Sequence, residues 1–496
     1  MDTANLTGGQ ALALADRIYA RLGARRPELE RMQDYADGKQ PLAFATEEWR
    51  KANASRYSEF SDNWCGPVVD APAERVALSG IRFAPEYQKA ARELWEIWLR
   101  NEMELQFTQG VRKTLTTSRT FALVWGTPDD KAQVTWETGS SVEIQYDWAN
   151  PLKRIAAIKA WVDEEFEYLY LYTAEHLWKW KRSRMMVESE RESQAEQAKD
   201  EAMNGGGWSP LEIDGEQWPL AHPFGVVPLV EFPNRPVLGG DPISEIHGAM
   251  SMQDAINLLW AYLFLAADYA SMDARIVLNA GPPSIPIIDD QGQDTGRRRP
   301  IDLKTLREQR IAFFDSSGDA DVKLGSWPAA KLDAFTDVVE IAVGHLCTQT
   351  RTPPTFLISQ VGLSNVNAEG LKASEIPLTK KVSEFWVYIK PALRELFRLM
   401  AIAEGDNGAA ELARSAQLVI ADPEIRSEAQ LTDALLKKRQ MGYPFEYILE
   451  LDGHDPLEID RIMTMLRNEQ DDPTLQAQIA KLGGSGGSSS GGGTAV

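Results

Sequence analysis

The side chains that could do chemistry are few and scattered. Five histidines, His176, His222, His247, His345 and His454, lie far apart in the sequence, and none has a second histidine or a cysteine at metal-ligand spacing. His345 sits near an apolar helical stripe, which reads as a core or subunit-contact histidine. Acidic pairs occur at Asp163–Glu165, Asp289–Asp290 and Asp471–Asp472. A two-metal nuclease would need such carboxylates to converge. Each pair instead lies in a turn-like or terminal context, where a solvated surface accounts for it. Arg297, Arg298 and Arg299 form a run of three positive residues that could meet phosphate or an acidic partner, or lie solvated in a loop. Two GxSxG strings, Gly483–Gly487 and Gly487–Gly491, fall in a Gly/Ser tail without the strand–turn–helix context that a nucleophile needs. No Walker A, HExxH or CxxC pattern is present. The expectation is no catalytic residue, no metal site and no cofactor.

Composition bounds the remaining classes. The chain has 496 residues, 43% hydrophobic and 25% charged, enough for a large core or several domains. Its net charge of −21 argues against tight, sequence-independent DNA binding, which uses many Lys and Arg contacts to phosphate. It suits something DNA must pass without sticking. Cys65 and Cys347 are too few for a disulfide framework and read as buried small hydrophobes. No signal-peptide pattern opens the sequence. The apolar run Ala255–Ala267 contains Asn257 and is shorter than the roughly 18 residues of a membrane span, so it reads as a buried or oligomer-facing helix.

The elements follow from periodicity. To about Ser118 the apolar spacing is helical, with the first helix ending at Gly38 and a second pattern running over Glu86–Ser118 through Leu94, Ile97, Trp98 and Leu105. Trp95 and Trp98 read as helix packing rather than a base-stacking platform. From Phe121 to about Lys181 the period changes to two, predicting an antiparallel sheet. A long helix is expected over Asp241–Ile276, capped by Asp241 or Ser244, with Pro242 in its first turn. A Gly/Pro-rich unit follows to about Pro328. A second helix begins near Ala329 with Phe335, Val338, Val339, Ala342 and Leu346 on one stripe. A third, Leu371–Ala403, carries Val382, Phe385, Ile389, Leu393, Leu396 and Met400, and Pro391 should bend it. Short helices close the chain.

Between the second and third helices lies an unusually polar connection. Ser359, Gln360, Val361, Gly362, Leu363, Ser364, Asn365, Val366 and Asn367 are rich in turn-tolerant residues and exceed an ordinary helix–helix link. It reads either as a slack surface loop or as a loop meant to touch something mobile.

In this order the strings resemble the portal proteins of tailed bacteriophages, of the siphophage and actinophage type. "YADGKQPL" (Tyr35–Leu42) is similar to the family's Tyr-x-x-Gly segment, and "DNWCGPVVDAPAERVALSGIRF" (Asp62–Phe83) to its Val-Val-Asp stretch. "EIHGAMSMQDAINLLW" resembles the start of the first stem helix. "RTPPTFLI" with "SNVNAEGLKASE" resembles the helix end, tunnel loop and next helix, and the segment from Ala421 to Met463 resembles the C-terminal part. The matches cover about residues 10–470. One departure is "TLTTSRTFALVWG", where Ser118, Arg119 and Thr120 replace the family's usual Ala or Gly pair.

The resemblance implies an α+β, mainly α, portal fold in a ring, usually of twelve copies, at one capsid vertex. Its regions would be an N-terminal wing (1–240), first stem helix (241–278), clip (279–328), second stem helix (329–356), tunnel loop and long wing helix (357–407), crown (408–482) and a flexible tail (483–496). Ser359–Asn367 would face double-stranded DNA in the channel. Asp289, Asp290 and Arg297–Arg299 would lie on a clip surface for the terminase large subunit and later the head–tail adaptor. Major capsid and scaffolding proteins would be further partners, and no membrane is involved. The alternatives are another acidic helical capsid or scaffolding protein, or the metal-dependent nuclease considered above.

Overall fold

The structure, a computed structural model, describes residues 3–40, 62–126, 131–184, 207–270, 275–280, 284–289, 291–300, 311–314, 321–326, 333–357, 368–424 and 428–471. In chain order the helices are α1 (Gly8–Ala36), α2 (Cys65–Ala73), α3 (Gln88–Arg100), α4 (Met103–Thr117), α5 (Met250–Ala270), α6 (Asp333–Thr350), α7 (Ala368–Ala403), α8 (Asn407–Ala413), α9 (Glu428–Gln440), α10 (Phe445–Asp452) and α11 (Pro456–Asp471). A single turn, Pro354–Leu357, follows α6. The strands are β1 (Leu78–Arg82), β2 (Arg119–Gly126), β3 (Ala132–Thr138), β4 (Val142–Tyr146), β5 (Arg154–Val162), β6 (Phe166–Tyr172), β7 (His176–Ser183), β8 (Ser209–Pro210), β9 (Leu220–Ala221), β10 (Leu229–Pro233), β11 (Arg275–Leu278), β12 (Ser284–Ile288), β13 (Asp294–Pro300), β14 (Ile311–Phe314), β15 (Lys323–Ser326) and β16 (Gln417–Ile420).

α1 starts where Thr7 and Gln10 form a reciprocal capping box, and the chain leaves it through Gly38 at φ +73°. Its stripe Ala11, Leu14, Ala15, Ile18 and Leu22 covers one face of the β4-β5-β6-β7-β8 sheet, against Ile158, Leu169, Leu171, Trp178 and Trp180. The period of two explains the choice: Leu169 and Leu171 point to α1, while Tyr168 and Tyr170 point away. The predicted antiparallel region is in fact two sheets, because β2 and β3 pair with β10 in a separate three-stranded sheet. Phe121, Leu123, Val142, Ile144, Val227 and Leu229 fill the space between them.

The largest core surrounds α7. All six residues of its predicted stripe are buried, and the helix continues through both Pro377 and Pro391. Trp95 and Trp98 are buried and stacked at 5.6 Å, with Trp98 also against Phe397, so the packing reading holds. Cys65 and Cys347 are free and buried.

Three expectations need correction. The Glu86–Ser118 pattern is two helices, not one, broken where Glu102 takes a left-handed φ of +52°. The long helix starts at Met250, not Asp241. Asp241 and Ser244 cap nothing there: the Asp241 carboxylate is taken by Arg119, and the Ser244 hydroxyl donates to the Thr116 carbonyl at 2.5 Å. The Glu245 amide bonds the Leu115 carbonyl at 2.9 Å, so tertiary contacts hold this stretch in turns. At the other end, Arg275–Leu278 has become strand β11. His345 is exposed, not a core residue of the single chain.

Two features give predictions. A Cβ on Gly110 would lie 2.2 Å from the Trp136 indole, which is held by its 2.8 Å bond to Thr120 and by Phe232 at 4.4 Å. Gly110→Ala should therefore destabilise by about 1–3 kcal/mol, read as a lower urea midpoint. His222 packs against Trp125 and Phe224 with its Nε2 3.1 Å from the Thr173 carbonyl, and burial pushes its pKa down to about 4. The unfolded chain takes this proton near the usual value of about 6.5. Stability is therefore full above that pH and falls as pH drops toward 4, by up to about 3 kcal/mol. His222→Phe should flatten that part of the stability–pH curve.

Candidate functional site

The residues that could act on something outside the chain gather around α5, α6, the strands between them and the start of α7. Their positions are set by polar anchors inside an apolar frame. Gln253, fully buried, accepts from the Trp64 amide at 2.7 Å and donates to the Asp62 carbonyl at 2.5 Å and the Asn257 Oδ1 at 3.0 Å. The Asp62 carboxylate accepts from the indoles of Trp64 (2.8 Å) and Trp260 (2.7 Å). Tyr35 donates to both Asp254 oxygens, at 2.7 and 2.8 Å. Burial, with that carboxylate beside it, pushes the Tyr35 phenol up to about 12. Burial raises Asp254 as well, against the pull of Tyr35 and Arg31. The first half of α5 is thus bonded to the end of α1 and the approach to α2, while Val339, Val343 and Leu346 of α6 join the main core.

Three ion pairs fasten the first half of α7 to three different elements. Glu375 meets Arg75 at 3.5 Å, Lys381 meets Glu245 at 2.9 Å, and Glu384 meets Arg351 at 3.0 Å. Only the middle pair is buried, with both side chains 4% exposed. Burial holds the Lys381 ammonium below its ordinary pKa, against the attraction of Glu245. The chain departure at Ser118–Thr120 also has a structural role. Ser118 takes a left-handed φ of +68°, and Arg119 pairs with Glu231 at 3.3 Å and with Asp241. Sequence reasoning missed Lys381, Glu245, Asp62 and Gln253. Their one signal is polar residues inside otherwise apolar helical faces, as Gln253 and Asn257 are at i and i+4.

The sequence-predicted site residues fall in two places. Ser359, Gln360, Val361, Gly362, Leu363, Ser364, Asn365, Val366 and Asn367 lie outside the described residues, directly before α7. Asp290 also lies outside them. Asp289 is exposed and spends its carboxylate on the hairpin turn, accepting from the amides of Gln291 (3.0 Å) and Gln293 (2.8 Å). Arg297, Arg298 and Arg299 are exposed on β13, with Arg298 opposite Pro286 and Arg299 opposite Ile285 of β12. None of the three has a carboxylate partner among the described residues. The structure therefore places the arginines on a β-ribbon, not in a slack loop. Among the described residues, no three His, Cys, Asp or Glu side chains are grouped to hold a metal ion. No helix among them is long and apolar enough to cross a membrane.

Comparison with known proteins decides what this frame serves. Residues 15–470 match the family described as phage portal protein, SPP1 Gp6-like. The chain belongs to this portal family. It is 24% identical over 392 residues to the portal protein of Mycobacterium phage D29, covering 74% of this chain and 70% of that protein. The portal protein of Mycobacterium phage L5 is 24% identical over 389 residues, with the same coverage. The family is structural, its members are oligomeric virion components, and its role is the channel for DNA packaging.

For this portal chain, the buried pair is the most exposed to a single change. Lys381→Met would leave Glu245 buried and unpaired, at a cost of about 3–5 kcal/mol in urea unfolding. Replacing Glu245 by Met in the same chain should recover most of that loss, because the stranded charge is gone.

Proposed function

We propose that the chain forms a ring of twelve copies at one capsid vertex, through which terminase drives double-stranded DNA inward and from which DNA later leaves. In this reading residues 1–240 form the wing. α5 and α6 form the stem, the strands of 275–326 the clip, residues 357–407 the DNA-facing loop with the long helix, and 408–482 the crown. The terminase large subunit and then the head–tail adaptor dock on the clip, where Asp289, Asp290 and Arg297–Arg299 lie. Major capsid and scaffolding proteins surround the wing. The observation that carries the reading is the family match over residues 15–470, in a chain of net charge −21. An acidic wall repels the phosphate backbone and keeps moving DNA from sticking. The absence of a grouped metal site among the described residues gives a nuclease reading nothing to build on.

The loop Ser359–Asn367 is the sharpest part of the proposal, because its side chains would act on DNA and not on folding. Replacing Asn365 and Asn367 by Ala should change stability by no more than about 0.5 kcal/mol. Replacing both by Arg adds two phosphate-seeking charges per copy and should slow or stall packaging into procapsids, with partial relief by salt. Arg variants that assemble and package at the unmodified rate at low and high salt would show that this loop never meets DNA.

A further inference from the structure

The strands between α5 and α6 have no core of their own. None of the described residues in 275–326 is buried, and none joins the three hydrophobic clusters of the chain. Large apolar side chains stand in solvent instead: Ile285, Ile287, Ile288 (60% exposed), Phe314 and Leu324 (81% exposed). They sit on two small sheets, the ribbon β12-β13 and the three strands β14-β11-β15. A two-stranded ribbon is marginal in water, and exposed strand edges are templates for pairing with another chain.

We infer that this unit completes its core against a second copy of the chain, so that the surface carrying Asp289 and Arg297–Arg299 is formed only in the oligomer. This rests on the ring reading above. The choice of occupant follows from continuity. The uncovered apolar surface does not stop at the strands, but continues onto Tyr262 of α5 and onto Val338 and Ile341 of α6. A partner docking at one end would cover only the strands. A neighbouring copy runs alongside both helices and strands, and covers the whole length. Head-to-tail contacts of this kind use two different faces of each copy, and they close into rings. The unpaired arginines of β13 then remain free for a partner that is not this chain. Assembly thereby gates docking: a single copy offers no ordered clip surface, and the closed oligomer offers one per copy.

The test is hydrogen exchange on the full chain, separated into monomer and oligomer fractions. Peptides covering 284–300 and 311–326 should exchange at least tenfold more slowly in the oligomer, while peptides from β5 to β7 exchange alike in both. An Ile285→Asp, Leu324→Asp chain should shift toward monomer with the β5–β7 exchange unchanged. Equal exchange of 284–326 in both fractions would overturn the inference while leaving the ring intact. Protection that appears only when terminase is added would overturn it too, assigning the apolar face to that partner. A chain that forms no oligomer at any concentration would overturn this inference and the ring reading together.

Discussion

The apolar stripe of α7 is the constraint on which the rest of the chain depends. Leu393, Leu396, Phe397, Leu399 and Met400 are completely buried, and they gather α3, α4 and α8 around one axis. An apolar helix face of this length must be covered, and covering it leaves the first half of α7 to be held in another way. That half is pinned by Glu375, Lys381 and Glu384 to three separate elements. The residues expected to face DNA immediately precede it. Apolar burial thus fixes one end of α7 and charge fixes the other, with the buried Lys381–Glu245 pair joining it to the turn from which α5 departs.

This division explains why the protein needs no reactive side chain. A channel for DNA has to be stiff, closed and unattractive to phosphate. Stiffness comes from the core around α7 and from the bonded network of Tyr35, Asp62, Gln253 and Asp254. Low attraction comes from a net charge of −21. Closure has to come from surfaces that a single copy leaves bare, and those concentrate between α5 and α6.

Much of the fold was legible in the sequence where burial and periodicity coincide. The α7 stripe, the α1 stripe ending at Gly38 and the alternation of β2 to β7 are all of this kind. The misses have a common cause. Asp241 and Ser244 look like helix caps locally, but Arg119 and the Thr116 carbonyl compete for them and win. The break at Glu102 is a backbone conformation that composition does not mark. For the site, Arg297–Arg299 were visible as a charge run, but their place on a ribbon was hidden by the surrounding Gly and Pro. The pairing of Lys381 with Glu245 spans distant segments, and helical spacing carries no information about it.

The central claim is that this chain is a closed ring around a channel. Native mass spectrometry of the purified full chain, with electron microscopy of the same sample, tests it most directly. The account predicts one discrete species of twelve copies, seen end-on as a ring with an open centre. A monomer at every concentration, or open filaments without a fixed copy number, would contradict it.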